Sequence, residues 1–355
     1  TPTPTPTATP TPTPSPTPSP TPTPSFFRGK TITLMVGDNA GGTTDAHARY
    51  MSIRLPEFIP GNPRIEVRNL TPNVAERNFV WNAEPDGLTL ALEATPGVLE
   101  QFTTQAQFDM REATMIGVTS GREEAWFIRG TLSYNCIEDA FGAPFPDLTI
   151  AVDARTPADL GSNVAVGWLA DELNIPLRMR RVPVAATSEQ YRMIERGTVN
   201  SWVSRSVWNQ LPITRPGWVS SGFVRPFADL SAPGVDIGNN GEGDFHCPNV
   251  HDTYVDNLDD QALWLAMRPD LAMSYNLIGP PGMSAGVTEA LRDALASAMA
   301  DTRFASNMEN FTGIRNRFTD GATAQQDLTD TVNAYIRYKG QVDLIARDVF
   351  NKYVR

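Results

Sequence analysis

The feature that most constrains this chain is the run Gly29-Lys-Thr-Ile-Thr-Leu-Met-Val-Gly-Asp-Asn-Ala-Gly-Gly-Thr-Thr-Asp-Ala-His-Ala-Arg49. It reads as a buried strand, a glycine-rich turn and the start of a helix. Thr31–Val36 alternates β-branched and apolar residues as a strand requires. Gly41 and Gly42 let the backbone turn sharply and approach a ligand with no side chain in the way. Thr43, Thr44 or Asp45 is placed to cap the helix that carries Ala46, Ala48, Tyr50 and Met51. A helix start presents free N–H groups and a partial positive charge, so this turn can seat a carboxylate. The same residues would serve equally well as a plain strand-to-helix connection. Gly37, Gly41 and Gly42 do not make G-x-G-x-x-G, which removes the dinucleotide reading.

Residues 1–25 alternate Thr or Ser with Pro. Such a segment has no apolar surface to bury and few N–H donors, so it is expected to be a disordered, extended spacer whose hydroxyls suit O-linked sugar. The repeat is already under way at Thr1, and a signal and a lipidated cysteine are expected upstream of it. From Phe26 the pattern changes to strands alternating with helices, which predicts an α/β fold with mostly parallel sheets flanked by helices. Strands are predicted at Thr31–Val36, Arg64–Val67, Thr89–Ala91, Met115–Val118, Ala125–Ile128, Leu148–Val152, Arg178–Arg181 and Val199–Val203. Helices are predicted at Asp45–Arg54, Ala75–Ala83, Val164–Leu173, Ser188–Arg196, Val287–Asp301 and from Ala324 to Arg347. The expected plan is a first lobe over 26–124, a second over 125–225, and a return to the first over 226–355 with the C-terminal helices.

The bulk numbers narrow the function. A net charge of −11 argues against nucleic acid, which needs clustered Lys and Arg. It does not exclude an anionic ligand, because local N–H groups and one arginine can dominate a small pocket. No apolar run is long enough to span a bilayer, so the expected membrane contact is an N-terminal lipid anchor. Cys136 and Cys247 are too few for a disulfide scaffold or a four-cysteine zinc site. In an exported chain they are expected to pair; the alternative is two separate buried thiols.

The order of short motifs is more specific. Phe27-Arg-Gly-Lys-Thr-Ile-Thr-Leu-Met-Val-Gly37 is followed by Ala40-Gly-Gly, Asp45 and Ala48-Arg49, then by Leu55-Pro-Glu-Phe-Ile-Pro-Gly-Asn-Pro63. Ile65-Glu-Val-Arg-Asn-Leu70 and Ala83-Glu-Pro-Asp-Gly-Leu-Thr-Leu90 come next. This ordered set resembles the tripartite tricarboxylate transporter substrate-binding proteins, the Bug or TctC family of extracytoplasmic solute receptors, and the likeness covers residues 26–355. The resemblance implies a two-lobed periplasmic-binding-protein fold of type II with the ligand between the lobes. It also implies a small organic acid as ligand, a membrane permease of a secondary transporter as partner, and a periplasmic or cell-surface location.

Carried onto this chain, the resemblance places the ligand carboxylate on the first turn, at Asp38, Asn39, Ala40, Gly41, Gly42, Thr43, Thr44 and Asp45. Backbone N–H groups and the threonine hydroxyls would donate, and Asp45 would cap the helix or accept from the ligand. Asp38-Asn39 departs from the family, which has aromatic or proline residues there; a carboxylate at that point would repel a second anion or welcome a polar or cationic group. Thr95, in Thr95-Pro-Gly97, is the next candidate, against a plain turn. In the second lobe the family's serine- and glycine-rich loop is replaced by Asp153-Ala-Arg-Thr-Pro157. Arg155 could grip a carboxylate bidentately beside Thr156, or pair on the surface with Asp153 or Asp159. Ala185, in Pro183-Val-Ala-Ala186, and Ser204, Arg205, Ser206 and Trp208 complete the set. Asn200 stands where the family often has aspartate. Trp202 and Trp208 could stack on a ligand or belong to the core.

Enzyme readings find little support: G-x-S-x-G, H-E-x-x-H and the P-loop are all missing from the sequence, and no cofactor or metal is expected. His246-Cys247, His251-Asp252 and the oxygen-bearing run Asp236 to Asp244 only loosely suggest a metal loop. The function expected is therefore a receptor whose lobes close on a small carboxylate for delivery to a permease. The alternatives are a ligand sensor or surface-assembly protein using the same lobes, and a hydrolytic or metal enzyme built on Asp38, Asp45 and His47.

Overall fold

The computed structural model describes residues 26–102, 105–121, 123–144, 148–152, 154, 160–161, 163–182, 187–205, 207–233, 235–255, 258–269 and 273–355. The Thr/Pro segment 1–25 lies outside the described residues. In chain order the first series is β1 (Thr31–Val36), α1 (Thr43–Arg54), β2 (Arg64–Asn69), α2 (Asn73–Trp81), β3 (Thr89–Glu93) and β4 (Thr114–Ser120). A second series runs β5 (Glu124–Arg129), β6 (Leu148–Val152), α3 (Asn163–Glu172), β7 (Leu177–Arg181), α4 (Thr187–Arg196), β8 (Ser201–Arg205), α5 (Val207–Thr214), β9 (Val224–Asp229), α6 (Val250–Tyr254) and α7 (Leu258–Ala266). The chain closes with β10 (Ser274–Gly279), α8 (Ala285–Ala300), α9 (Thr302–Thr312), β11 (Asn316–Asp320) and α10 (Gly321–Tyr353).

This is a two-lobed α/β fold with mixed sheets. Among the described residues the first lobe is a six-stranded sheet in the order β11-β4-β10-β3-β1-β2. The second carries β8-β5-β9 and the pair β6-β7. Among the described strands, parallel pairing joins β1–β2, β1–β3 and β6–β7, where a helical crossover returns the chain in the same direction. β10 runs antiparallel to β3 and β4, β11 to β4, and β5 to β8 and β9. Of these, β4, β5 and β10 border the passages of the chain between the lobes, which local strand–helix alternation does not register.

The two crossings set the shape of the site. The chain leaves the first sheet after Ser120 and enters the second lobe at Glu124. β9 pairs with β5, Cys247 is joined to Cys136 by a disulfide with S–S 2.05 Å, and the chain is back in the first sheet at Ser274. The last helix starts on the first sheet and ends on the second lobe. Asp320 caps its start through the Ala322 and Thr323 N–H groups at 3.0 Å. At its far end Arg355 N–H donates to Met179 O and Arg181 N–H to Arg355 O, both at 3.0 Å, which extends the β6–β7 pair by a bridge. Ala324, Leu328, Val332, Tyr335, Val342, Ala346 and Val349 form the apolar stripe that holds α10 down along this path.

Charge pins the crossings. Glu124 and Arg268, both buried, form an ion pair. Glu123 accepts from Asn209 Nδ2 at 2.8 Å and from Arg317 Nε at 3.3 Å, tying α5 to β11. The cores lie to either side of the sheets. Ile32, Leu34, Val36, Met51, Leu92, Leu277 and Leu295 fill one face of the first lobe, and Phe127, Trp202, Trp208, Leu211 and Val224 fill part of the second. Among the described residues no helix is long and apolar enough to cross a membrane.

Candidate ligand-binding cleft

The first turn is built by its own hydrogen bonds. β1 ends at Val36, and Gly41 takes φ +83°, a left-handed conformation that glycine adopts without penalty. Gly42 is the helix N-cap, with no side-chain cap bond, so neither Thr43, Thr44 nor Asp45 takes that role. Asp45 instead faces back into the turn: its Oδ2 accepts from Gly41 N–H at 2.8 Å. Arg49 grips the same carboxylate through Nε at 2.8 Å and Nη2 at 2.9 Å. Burial works to raise the Asp45 carboxyl, but the bonds from Arg49, Gly41 and Asn69 outweigh it and hold the group below its usual range. Asp38 Oδ2 accepts from Thr44 Oγ1 at 2.5 Å, and Asn69 Nδ2 donates to Asp38 O at 3.0 Å. The first N–H groups of α1 have no intrahelical acceptor and open toward the space in front of Thr43 and Thr44.

The turn after β3 is held from beneath by Arg77, whose side chain is 2% exposed. Arg77 donates through Nη2 to Thr95 O at 3.0 Å and through Nε to Glu93 at 2.9 Å, and it pairs with Glu100. Burial opposes the guanidinium charge, yet Glu93 and Glu100 hold Arg77 above its ordinary range. Gly97, at φ +66°, makes room for it: a Cβ there would lie 2.5 Å from Arg77 Nε. Glu76, fully buried next to this cluster, is pushed well above the usual carboxylate range by burial and by the charge of Glu93.

Between the lobes these turns face a cleft of about 670 Å³, within the size range of small-molecule sites. The first lobe supplies residues 38–44 with Ala94 and Thr95. The second supplies Tyr191, Ser204, Arg205, Val207, Gln210, Thr214 and Arg215, and Ser274 and Tyr275 of the returning strand complete the lining. Among the described lining residues the cations are Arg205 and Arg215 and the anion is Asp38. Arg215 is oriented by Glu195, at 3.1 Å from Nε, and lies over the Tyr191 ring with 4.6 Å to the centroid.

Of the residues read from the sequence, Asp38, Asn39, Ala40, Gly41, Gly42, Thr43, Thr44, Thr95, Ser204 and Arg205 come together here. Asp45 does not line the space, because its carboxylate is consumed by Gly41 and Arg49. Trp208 is core: it is 1% exposed, donates from Nε1 to Gly238 O at 2.9 Å, and stacks on Phe127. Trp202 packs against Phe127 and Tyr191 in the same core. Arg155, Thr156, Ala185, Asp153 and Ser206 lie outside the described residues. Tyr191, Gln210, Thr214, Arg215, Ser274 and Tyr275 were missed. Val207, Gln210 and Thr214 are spaced as one helix face and could have been found from that spacing. Tyr275 carries no local signal.

The loop from Asp236 to Asp244 spends its oxygens on its own turn and its neighbours. Glu242 accepts from Gly217 N–H at 2.5 Å and Val219 N–H at 3.2 Å, and Asn240 Oδ1 from Glu242 and Gly243 N–H. Cys136, His246 and Cys247 cluster within 4.8 Å, but the two sulfurs are bonded to each other and offer no thiolate. His47 is buried among Thr119 and Tyr275, and burial drives its pKa down to about 3, so it is an uncharged packing group.

No protein-family model matches the chain, and no curated protein matches it. Solved structures do. A TctC solute-binding protein from Polaromonas, without ligand, aligns with a TM-score of 0.62 over 91% of this chain and 98% of its own, at 14% identity. The fold is that of the TctC solute-binding proteins. MatC from Rhodopseudomonas palustris, with bound malate, shares this TctC fold at a TM-score of 0.59 and 16% identity, over 88% of this chain and 99% of its own. A second R. palustris protein, with adipate, aligns at 0.59 and 18% identity, over 89% and 97%.

Proposed function

We propose that this chain is an extracytoplasmic solute receptor of the TctC and Bug family that captures a small organic acid between its lobes. The observation that carries the reading is the cleft itself. It sets the N-terminus of α1, a positive dipole end, opposite Arg205 and Arg215 of the second lobe. A ligand with a carboxylate at each end would meet N–H donors on one side and a guanidinium on the other. Contacts from both lobes favour the closed arrangement over the open one, which is how binding would be signalled to a partner. The malate and adipate bound to proteins of the same fold support a carboxylate ligand. Delivery to a permease of the tripartite tricarboxylate type follows from the motif resemblance, and an exported location fits the Cys136–Cys247 disulfide. Binding, rather than turnover, suits a cleft with His47 buried and uncharged behind Tyr275 and with Asp45 paired to Arg49 outside the lining.

The test is calorimetric titration of the full chain with succinate, malate, adipate, citrate and the monoacid acetate. Diacids are expected to bind with acetate much weaker, and Arg215→Gln to weaken the diacids selectively. Failure of every acid to bind would overturn the reading.

A further inference from the structure

The returning strand β10 presents a feature that the carboxylate reading does not use. Ser274 and Tyr275 are neighbours in sequence, and neighbours on a strand ordinarily point to opposite faces of a sheet. Here both line the cleft. The break in alternation comes at Tyr275, whose φ of +56° is left-handed, a conformation that a bulky aromatic residue rarely adopts. The ring is held in place from behind: it stacks on His47 at 4.8 Å between centroids and 7° between planes. The Tyr275 carbonyl accepts from Thr119 Oγ1 at 3.1 Å, and the same hydroxyl meets His47 Nε2 at 3.0 Å. The strained residue is thus fixed at both its backbone and its ring.

What this arrangement delivers is a hydroxyl without a partner. Tyr275 is 7% exposed and Ser274 2% exposed, and among the described residues neither side-chain oxygen makes a hydrogen bond within the protein. Gln210, 8% exposed, faces the cleft from the second lobe in the same condition. These polar atoms are not sealed into the core but open to the cleft, so in the ligand-free protein they meet water and are available to a ligand. Burial pushes the Tyr275 phenol up from its ordinary value, with Arg205 opposing and Asp38 adding to the rise. The phenol therefore stays protonated and able to donate, and it sits within the field of charges from both lobes.

We propose that Tyr275 is a specificity-determining residue of the cleft, whose hydroxyl donates to an oxygen of the bound acid, with Ser274 beside it. The inference rests on the receptor reading. It makes a demand that the anion site alone does not: the ligand must place an acceptor over the floor of the cleft, between the α1 turn and the second-lobe arginines.

The experiment is titration of wild type, Tyr275→Phe and Ser274→Ala with succinate, malate, adipate and citrate, alongside the melting temperature of each ligand-free protein. Tyr275→Phe keeps the ring, its stack on His47 and the backbone bond, and it removes an oxygen with no partner. The ligand-free melting temperature is therefore expected to stay level or rise, while affinity for the bound acid falls about ten- to hundredfold. Ser274→Ala is expected to act in the same direction. A wild type that binds, with Tyr275→Phe binding equally well, would overturn this inference and leave the receptor reading standing. A lower ligand-free melting temperature with unchanged affinity would assign the hydroxyl to the fold instead. A wild type that binds none of the acids overturns both.

Discussion

Arg77 is the residue on which the first-lobe half of the cleft depends most, and its replacement can be worked through. Arg77→Met keeps much of the volume but removes three hydrogen-bonded contacts, to Glu93, Glu100 and the carbonyl of Thr95. It also leaves Glu93, 2% exposed, without its buried cation, beside the fully buried Glu76. Breaking a buried pair from one side costs about 3–5 kcal/mol, because an uncompensated charge stays behind. At about 2.1 cal/mol/K of unfolding entropy per residue, a chain of this size loses roughly 4–7 °C in Tm for that cost. The variant has an escape: burial can hold the Glu93 carboxyl protonated. A carboxyl whose folded pKa lies above its unfolded value contributes stability in acid that is lost as pH rises. The deficit should therefore be smallest near about pH 5 and grow toward about pH 8. Removing the orphaned charge as well, in Arg77→Met/Glu93→Gln, should recover most of the loss. Thermal unfolding followed by circular dichroism across that pH range measures all three quantities. A Tm within about 1 °C of wild type at neutral pH, or a deficit that does not vary with pH, would refute the reasoning.

Two further outcomes are expected. The disulfide closes a loop with a sequence separation of 111, so the chain-entropy account assigns it about 4–5 kcal/mol; Cys136→Ala/Cys247→Ala should melt several degrees lower, and an unchanged Tm would show that the unfolded chain is not constrained by it. His47, held near a pKa of about 3, stays neutral in the fold while the unfolded chain takes up a proton below about 6.5. Acidification through that window should therefore cost up to about 1.4 kcal/mol per pH unit, and the Tm gap between wild type and His47→Gln should narrow from about pH 7 to about pH 5. A gap that stays constant would mean that His47 is charged in the fold.

The parts of the site that were legible in the sequence are those made by consecutive residues. The turn after β1 was visible because glycine, small polar residues and a new hydrophobic period follow one another directly, and the cleft uses residues 38–44 of it. Ser204 and Arg205 were visible for the same reason, as the end of a strand. Asp45 illustrates the limit. A carboxylate in a first helical turn can cap, bind or pair, and the choice was made by Arg49 one turn on and by the left-handed Gly41. Trp208 is a second case, because a tryptophan after a strand looks the same whether it stacks on a ligand or on Phe127.

Consecutive residues alone specify the repeating strand–helix unit, the position of the glycine-rich first turn and the lack of a nucleotide or hydrolase motif. Those follow from near-neighbour chemistry: β-branching, glycine freedom and the unpaired N–H groups at a helix start. The tertiary structure alone decided the return of the chain at Ser274, the path of α10 from one lobe to the other, and the meeting of Tyr275 with residues 38–44. Those depend on antiparallel pairing between strands separated by more than 150 positions, such as Ser274 with Ser120. Pairing at that range is selected by which arrangement buries the most apolar surface while satisfying the buried charges, and no local run of residues encodes it.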